Sequence, residues 1–336
     1  MKLMFVGDIN LGEYYTSLGH GPRTFLESRD VFENVAPILA RADFVLGNLE
    51  APLSNLNRRY NDPESAALRG DPRAATILAR HGFKVLQVAN NHSVQHGPDA
   101  FEQTLDALTA NGIKPIGLLN QHIHVIHTHG MTIGFLAASD VPDNTHPGQT
   151  LYQELNEEFL VRCEKAVEEV DHVFVLLHWG LESSTRCLPY QHGIMERLRQ
   201  KGVRGVVGSH PHLFYGLYLR DNFIAAPSLG NFVFDLCWDQ RLVQTGILEV
   251  TLDKCMTARV WPVRISNNGC LPTPTEAPVE IAERETKLYD LGSDMRGEQR
   301  RKMLYFLKNF RHGDRMLKTK FMIRKFRSAL KRIAGG

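Results

Sequence analysis

The chain has 336 residues, of which 43% are hydrophobic and 23% charged, with 39 Lys+Arg against 37 Asp+Glu and a formal net charge of +2. With a mean hydropathy of -0.24, these values exclude a mostly disordered chain, a collagen-like repeat and an integral membrane protein, and the length allows a large hydrophobic core. The near-neutral total is a cancellation: residues 300–336 hold 13 Lys+Arg and one acidic residue, Asp314, leaving 26 basic and 36 acidic residues in 1–299.

The first strand is expected at Lys2–Val6, followed by others at Phe44–Leu46, Lys84–Val88, Thr132–Ala137, Val173–Leu177 and Gly205–Val207. All are short runs rich in Val, Ile, Leu and Phe that end in Gly, Asn, His or Asp. Helical patterns alternate with them. Asp99 is expected to cap a helix presenting Phe101, Leu105 and Leu108 and stopping at Asn111-Gly112. Leu155–Val170 places Phe159, Cys163, Val167 and Val170 on one face, and Gln191–Lys201 precedes the strand ending at Val207. From Phe214 to Ile265 the pattern changes to successive β-like segments, read as antiparallel additions. Ser266–Pro278, rich in Asn, Gly, Pro and Thr, reads as a boundary loop. The reading divides the chain into a body (1–270), a linker and the start of a helical extension (271–299), and a basic amphipathic tail (300–336).

Chemistry-bearing residues recur at the carboxyl ends of these strands, where ligands bind in open α/β sheets. Asp8 and Asn10 follow the first, Asn48 and Glu50 the second, and Asn90, Asn91 and His92 the third. His178 follows another, and His210 and His212 the next. Carboxylate oxygen, amide oxygen and imidazole nitrogen together suit Mn, Fe or Zn. Five cysteines, odd in number and without a Cys-x-x-Cys pair, read as reduced thiols.

Gly7-Asp8, Asn48-Leu49-Glu50, Ala89-Asn90-Asn91-His92, His178-Trp179-Gly180, Gly208-Ser209-His210-Pro211-His212 and the run from Ser228 to Asp235 resemble, in order and spacing over residues 1–270, the CapA-type poly-γ-glutamate/capsule synthesis family. That resemblance implies an α/β fold of the calcineurin-like metallophosphoesterase type, a four-layer αββα sandwich of two mixed sheets flanked by helices. It also implies that Asp8, Glu50 and His212 hold one divalent ion. Asn91, His178 and His210, with Glu50 bridging, would hold a second, and His92 would protonate a leaving group or grip a phosphate oxygen. Asn10, Asn48, Asn90, Glu182 and Asn231 are expected to support these groups or touch substrate. Two departures stand out. Asp8-Ile9-Asn10 replaces Asp-x-His, removing one imidazole, and Gly47-Asn48-Leu49-Glu50 replaces Gly-Asp. A bridge needs an anion, which favours Glu50 over Asn48, and one or two metals both remain open.

Two functions follow from the resemblance: a metal-dependent phosphoesterase-like hydrolase in capsule or polymer synthesis, or a capsule-assembly component with little turnover. The expected partner is an anionic or phosphorylated substrate or polymer, not nucleic acid. Arg58, Arg59, Arg69 and Arg73 are either an attractor for such an anion or a solvated loop. The histidines 122, 124, 127 and 129 read as an ordinary half-exposed strand. The tail places Met303, Phe306, Leu307 and Phe310, then Ile323, Phe326, Leu330 and Ile333, at helical spacing among its cations. Such a pattern suits an anionic membrane surface or packing on the acidic body. The N-terminal apolar run is too short for a signal peptide. A cytoplasmic location, peripheral at the inner face of the membrane, is expected.

Overall fold

The computed structural model describes residues 1–146 and 151–334, without the side chains of residues 329 and 331–334. Lys331, Arg332 and Ile333 of the tail pattern therefore lie outside the described side chains. The strands in chain order are β1 (Lys2–Ile9), β2 (Phe44–Leu49), β3 (Phe83–Gln87), β4 (Lys114–Ile116), β5 (His124–Thr128), β6 (Met131–Ser139), β7 (His172–His178), β8 (Gly205–Ser209), β9 (Tyr218–Arg220), β10 (Phe223–Ala226), β11 (Asn231–Val233), β12 (Gln244–Thr251), β13 (Thr257–Ser266), β14 (Leu271–Pro274) and β15 (Val279–Glu280). The helices are α1 (Pro22–Phe25), α2 (Ala36–Leu39), α3 (Pro63–Ala66), α4 (Ala74–Arg80), α5 (Pro98–Ala110), α6 (Glu157–Ala166), α7 (Pro189–Gln200), α8 (Glu298–Asn309) and α9 (Arg315–Ala334).

The strands form two mixed sheets. One runs β14-β13-β12-β1-β2-β3-β4, with β11 also paired to β1 and β15 to β13; the other runs β5-β6-β7-β8-β10-β9. Period-two alternation sorts their side chains into layers. Leu3 and Phe5 of β1 meet Phe135 of β6 and Phe174 and Leu176 of β7 between the sheets. Met4 and Val6 face the opposite way, toward Leu78 of α4 and Phe101 and Leu108 of α5. Val173, Val175 and Leu177 turn outward onto Phe159 and Cys163 of α6 and Met195 and Leu198 of α7. The result is the four-layer αββα sandwich. Phe174 lies at its centre, 5.5 Å from the Phe5 ring and 6.1 Å from that of Phe135.

Several local expectations are corrected. Helix α5 begins at Pro98 with Gly97 as its N-cap residue, at φ 94°, and Asp99 lies in the first turn instead of capping. Proline is already shaped for that first position, where the chain needs no N–H. Strand β10 joins β8 in parallel, and β11 joins β1 in parallel, so the additions after Phe214 are not all antiparallel. The stretch expected as a boundary loop contains β14, paired antiparallel with β13, so the sheet continues past residue 270. Pro272 and Pro274 are tolerated there because β14 is an edge strand. No described helix is long and apolar enough to cross a membrane.

The tail forms an α8–α9 hairpin bolted to the body at its corner. Phe306 and Leu317 are buried, Tyr15 stacks on Phe321 with ring centres 4.3 Å apart, and the Asp314 amide donates to the Leu18 carbonyl (2.8 Å). Lys318 is fully buried and donates to the Asn309 carbonyl at the end of α8 (2.9 Å) and to the His312 carbonyl in the turn beyond it (2.8 Å).

Candidate metal centre

Backbone register delivers the site. Asp8 on β1 lies between Asn231 on β11 and Asn48 on β2, and His178 on β7 lies between Ser139 on β6 and Ser209 on β8. Two rows of strand ends, one per sheet, therefore face a common crevice. Close backbone approach makes this possible. A Cβ on Gly7 would lie 1.9 Å from the Gly230 carbonyl oxygen, and one on Gly208 would lie 1.9 Å from that of Pro227. Beyond β8 the chain turns through His210 (φ 94°) and His212 (φ 61°). Positive φ at a non-glycine residue costs about 1–3 kcal/mol and clusters at functional sites.

The side chains converge. Ligand atoms of Asp8, Glu50 and His178 all lie within 4.8 Å of one another, and all three residues are buried. Asn48 Nδ2 donates to Asp8 Oδ1 (2.8 Å) and lies 3.3 Å from both Glu50 Oε2 and His178 Nδ1. Asn91 Oδ1 is 2.8 Å from His178 Nε2. His212 Nδ1 is 3.0 Å from Asn231 Oδ1 and 3.3 Å from Asp8 Oδ2, and its Nε2 is 3.7 Å from Glu50 Oε1. The His178 and His210 rings are 4.7 Å apart, and the His210 amide donates to Asp8 Oδ2 (3.3 Å). His92 Nε2 lies 3.9 Å from Glu50 Oε1, while its Nδ1 is 2.6 Å from Gln95 Oε1. The Gln95 oxygen can only accept, so it fixes a proton on Nδ1 and leaves Nε2 to the crevice.

Burial and mutual repulsion set the charges. Burial, then Asp8, pushes the Glu50 carboxyl well above its usual range. Burial, then the neighbouring imidazoles, holds His178 well below 6.5, and burial followed by His212 brings His210 to about 4. Burial also lowers His92, against the pull of Gln95 and Glu182. For His212 the burial effect is outweighed by Asp8, Glu182 and Asn231, and its pKa is raised.

A metal cation fits this donor set. Glu50 Oε1 and His210 Nδ1 are buried side-chain atoms with no hydrogen-bond partner among the described residues. The His210 imidazole, held neutral with a free lone pair on Nδ1, and a carboxyl that burial drives toward its neutral form are groups whose shortage is positive charge.

The model of the family described as bacterial capsule synthesis protein PGA_cap matches residues 2–236. The chain belongs to that family. The PGA biosynthesis protein CapA of Bacillus subtilis (strain 168) is 27% identical over 290 residues, covering 82% of this chain and 74% of that protein. The capsule biosynthesis protein CapA of Bacillus anthracis is 27% identical over 280 residues, covering 74% and 66%. Among solved structures, the Thermus thermophilus sulfate thiohydrolase SoxB is similar with a TM-score of 0.49 at 13% identity, covering 78% of this chain and 56% of that one. The 5'-nucleotidase of Candida albicans SC5314 is similar with a TM-score of 0.47 at 9% identity, covering 92% and 57%. These are distant likenesses; the sheet order and the three core layers carry the fold assignment.

Within the PGA_cap match, the motif residues separate into two groups. Asp8, Asn48, Glu50, Asn91, His92, His178, His210, His212 and Asn231 come together. Asn10 and Asn90 act one step away. Asn10 donates to Asp235 Oδ1 (3.0 Å) and accepts from the Gly12 amide (2.8 Å), whereas Asn90 donates to Asn48 Oδ1 (3.2 Å) and accepts from the His92 amide (3.1 Å). Glu182 lines the mouth of the crevice, a cavity of about 490 Å³. The arginines after Glu50 do not line that cavity. Arg59 pairs with Asp62, Arg73 with Asp71, and Arg69 is buried against the Ser54 and Leu56 carbonyls. Among the described residues, the histidines of 122–129 enter no metal-capable group. Sequence reasoning missed Gln95, which follows His92 by three residues, and Tyr14, Trp238, Glu298 and Lys302, which line the cavity with no motif to mark them. Glu298 and Lys302 lie beyond the PGA_cap match altogether.

Proposed function

We propose that the chain is a metal-dependent, phosphoesterase-like hydrolase serving capsule or poly-γ-glutamate-type polymer synthesis. The buried cradle with its orphaned Glu50 oxygen and His210 nitrogen carries this reading. Asp8, Glu50, Asn91, His178, His210 and His212 would hold one or two Mn, Fe or Zn ions. Such ions supply Lewis acidity toward a phosphoryl oxygen and a nucleophilic water at neutral pH. Asn48, itself held by Asn90, would orient the two carboxylates. His92, its tautomer fixed by Gln95, would present Nε2 to the substrate, accepting a proton or returning one to the leaving oxygen. The decisive experiment is metal analysis of the purified protein beside a phosphoester panel. The reading requires bound transition metal and His92-dependent hydrolysis; metal without hydrolysis of any member would sink it.

One observation favours a second reading, a capsule-assembly component with little turnover. Asn10 occupies the place of a ligand histidine and its amide is spent on Asp235 and Gly12. Binding of an anionic polymer that survives Asp8→Ala and His210→Ala would select it.

The tail suggests a further partner. Helix α9 leaves Met316, Ile323, Phe326 and Leu330 exposed, Phe326 by 66%, with Lys320 and Arg327 at the flank of that stripe. Apolar burial plus cationic attraction fits an anionic lipid surface. The test is sedimentation with phosphatidylglycerol vesicles, compared with phosphatidylcholine ones. Unchanged sedimentation of the double variant Ile323→Ser, Phe326→Ser would exclude this role.

A further inference from the structure

Helix α8 does more than cover the body. Its first turn closes the crevice: the Glu298 carboxylate accepts from Trp238 Nε1 (3.0 Å) and from the Ser183 hydroxyl (2.9 Å), next to Glu182 at the mouth. One turn on, Lys302 points into the same cavity. Its Nζ donates to the Tyr14 hydroxyl (2.6 Å) and lies 4.6 Å from the ring centres of both Tyr14 and Trp238. Two aromatic faces hold the ammonium in place. Among the described residues no carboxylate lies within ion-pair distance of it; Glu182 and Glu298 act from further off. A half-buried lysine is costly without a counter-charge, and this one lines the cavity that also contains His92 and His212. The cavity walls otherwise offer only carboxylates, neutral polar groups, apolar side chains and these titratable imidazoles.

We propose that Lys302 is a specificity-determining residue of the crevice, taking a second anionic group of the substrate, a carboxylate or a phosphate, distant from the group bound at the metal cradle. The inference rests on the same crevice being the substrate site, but not on turnover. Tyr14 and Trp238 set the position of the charge, and Glu298 fixes the helix that carries it. A singly anionic ester fills the cradle alone; a substrate with two anionic groups reaches both. The C-terminal hairpin thereby becomes part of the binding site, contributed from outside the family-matched region.

The test uses the full chain, with and without Mn²⁺, and two probes: inorganic phosphate and the dicarboxylate glutarate. Binding is followed by tryptophan fluorescence, since Trp238 flanks the ammonium. With phosphate, a single anionic group, as the control for the cradle alone, wild type is expected to bind glutarate saturably. Lys302→Met, which keeps the stem packed between the rings, should weaken it about 10- to 100-fold, the worth of one charge-assisted hydrogen bond. Lys302→Arg should restore most of the affinity, and Lys308→Ala on the exposed side of α8 should leave it unchanged. Phosphate affinity should be the same in wild type and Lys302→Met. Independently, the bound probe should slow acetylation of Lys302 but not of Lys308 in wild type. No saturable glutarate binding, equal glutarate affinity in Lys302→Met, or absence of protection by glutarate overturns the proposal. Lys302-dependent binding without phosphoester hydrolysis would remove the hydrolase reading and leave this one standing.

Discussion

The strand-end crevice and the C-terminal hairpin meet at one cavity but are built in opposite ways. In the crevice, Asp8, Asn48 and Asn231 are neighbours because hydrogen-bonded strands place them in register, and the backbone fixes the chemistry. The hairpin has no strand to hold it. Side chains attach it to the body, Lys302 on Tyr14, Glu298 on Trp238, Phe321 on Tyr15 and Arg324 with Asp62, while Lys318 on the Asn309 carbonyl and Phe306 against Phe321 hold its two helices together. The first arrangement can lose a side chain and keep its shape. The second depends on a few contacts, so its contribution to the site is conditional.

Changes in the cradle should have the largest effect and leave the fold standing. Asp8→Ala or Glu50→Ala is expected to weaken metal binding by well over 100-fold, beyond the 10–100-fold typical of groups that only support ligands, as read by metal content after gel filtration. His92→Ala should retain metal and lower phosphoester turnover by about 10²–10⁴. Gln95→Leu should act in the same direction but less, because Nε2 persists and only the fixed tautomer is lost. If Gln95→Leu matched His92→Ala, His92 would be working through Gln95 and not through its own position.

The two regions should also differ in how they come apart. Phe174→Ala opens a cavity between the sheets and should cost about 3–5 kcal/mol of global stability, seen as a lowered midpoint in denaturant. Phe306→Ala should leave that midpoint nearly unchanged and instead raise hydrogen exchange across α8 and α9, because local opening need not involve the body. A large global loss from Phe306→Ala would mean that the hairpin and the body unfold as one unit.

The same contrast explains what the sequence showed in advance. Each site strand ends in a compact motif, and short continuous apolar runs identified β1, β2, β3, β6, β7 and β8, with the motif residues at the carboxyl ends of all of these but β6. Pairing direction was less visible: β10 lies parallel to β8 although Phe223–Ala226 carries no mark distinguishing a parallel from an antiparallel strand. The hairpin's amphipathic spacing was also legible, yet not which face would pack. Phe306 is buried while Met303 and Leu307 are exposed, and Lys318 is buried among its apolar neighbours. Lys302 counts, in sequence, as one cation among the tail's many. Its meaning comes from Tyr14 and Trp238, residues 288 and 64 positions away, brought together only by the fold.

The smallest expected effect concerns acid. His20 sits at the hairpin corner, 3.3 Å from Lys318 Nζ and 6.1 Å between ring centres from His312, with the Leu18 and Ser17 carbonyls beside it. Glu13 and Asp314 are the nearby anions acting on Lys318. Burial, then the Lys318 ammonium, brings His20 to about 4 from 6.5. The unfolded or detached corner therefore binds the proton more readily, so the attachment is strongest above pH 6.5 and is lost progressively as pH falls from there through 4. Hydrogen exchange in α9 should rise between pH 7.5 and 5, after correction for the intrinsic rate, while exchange in β1 and β7 stays level. His20→Gln removes the titrating group, so its corrected α9 exchange should be flat over that range. An unchanged pH dependence in that variant would rule out His20 as the titrating group.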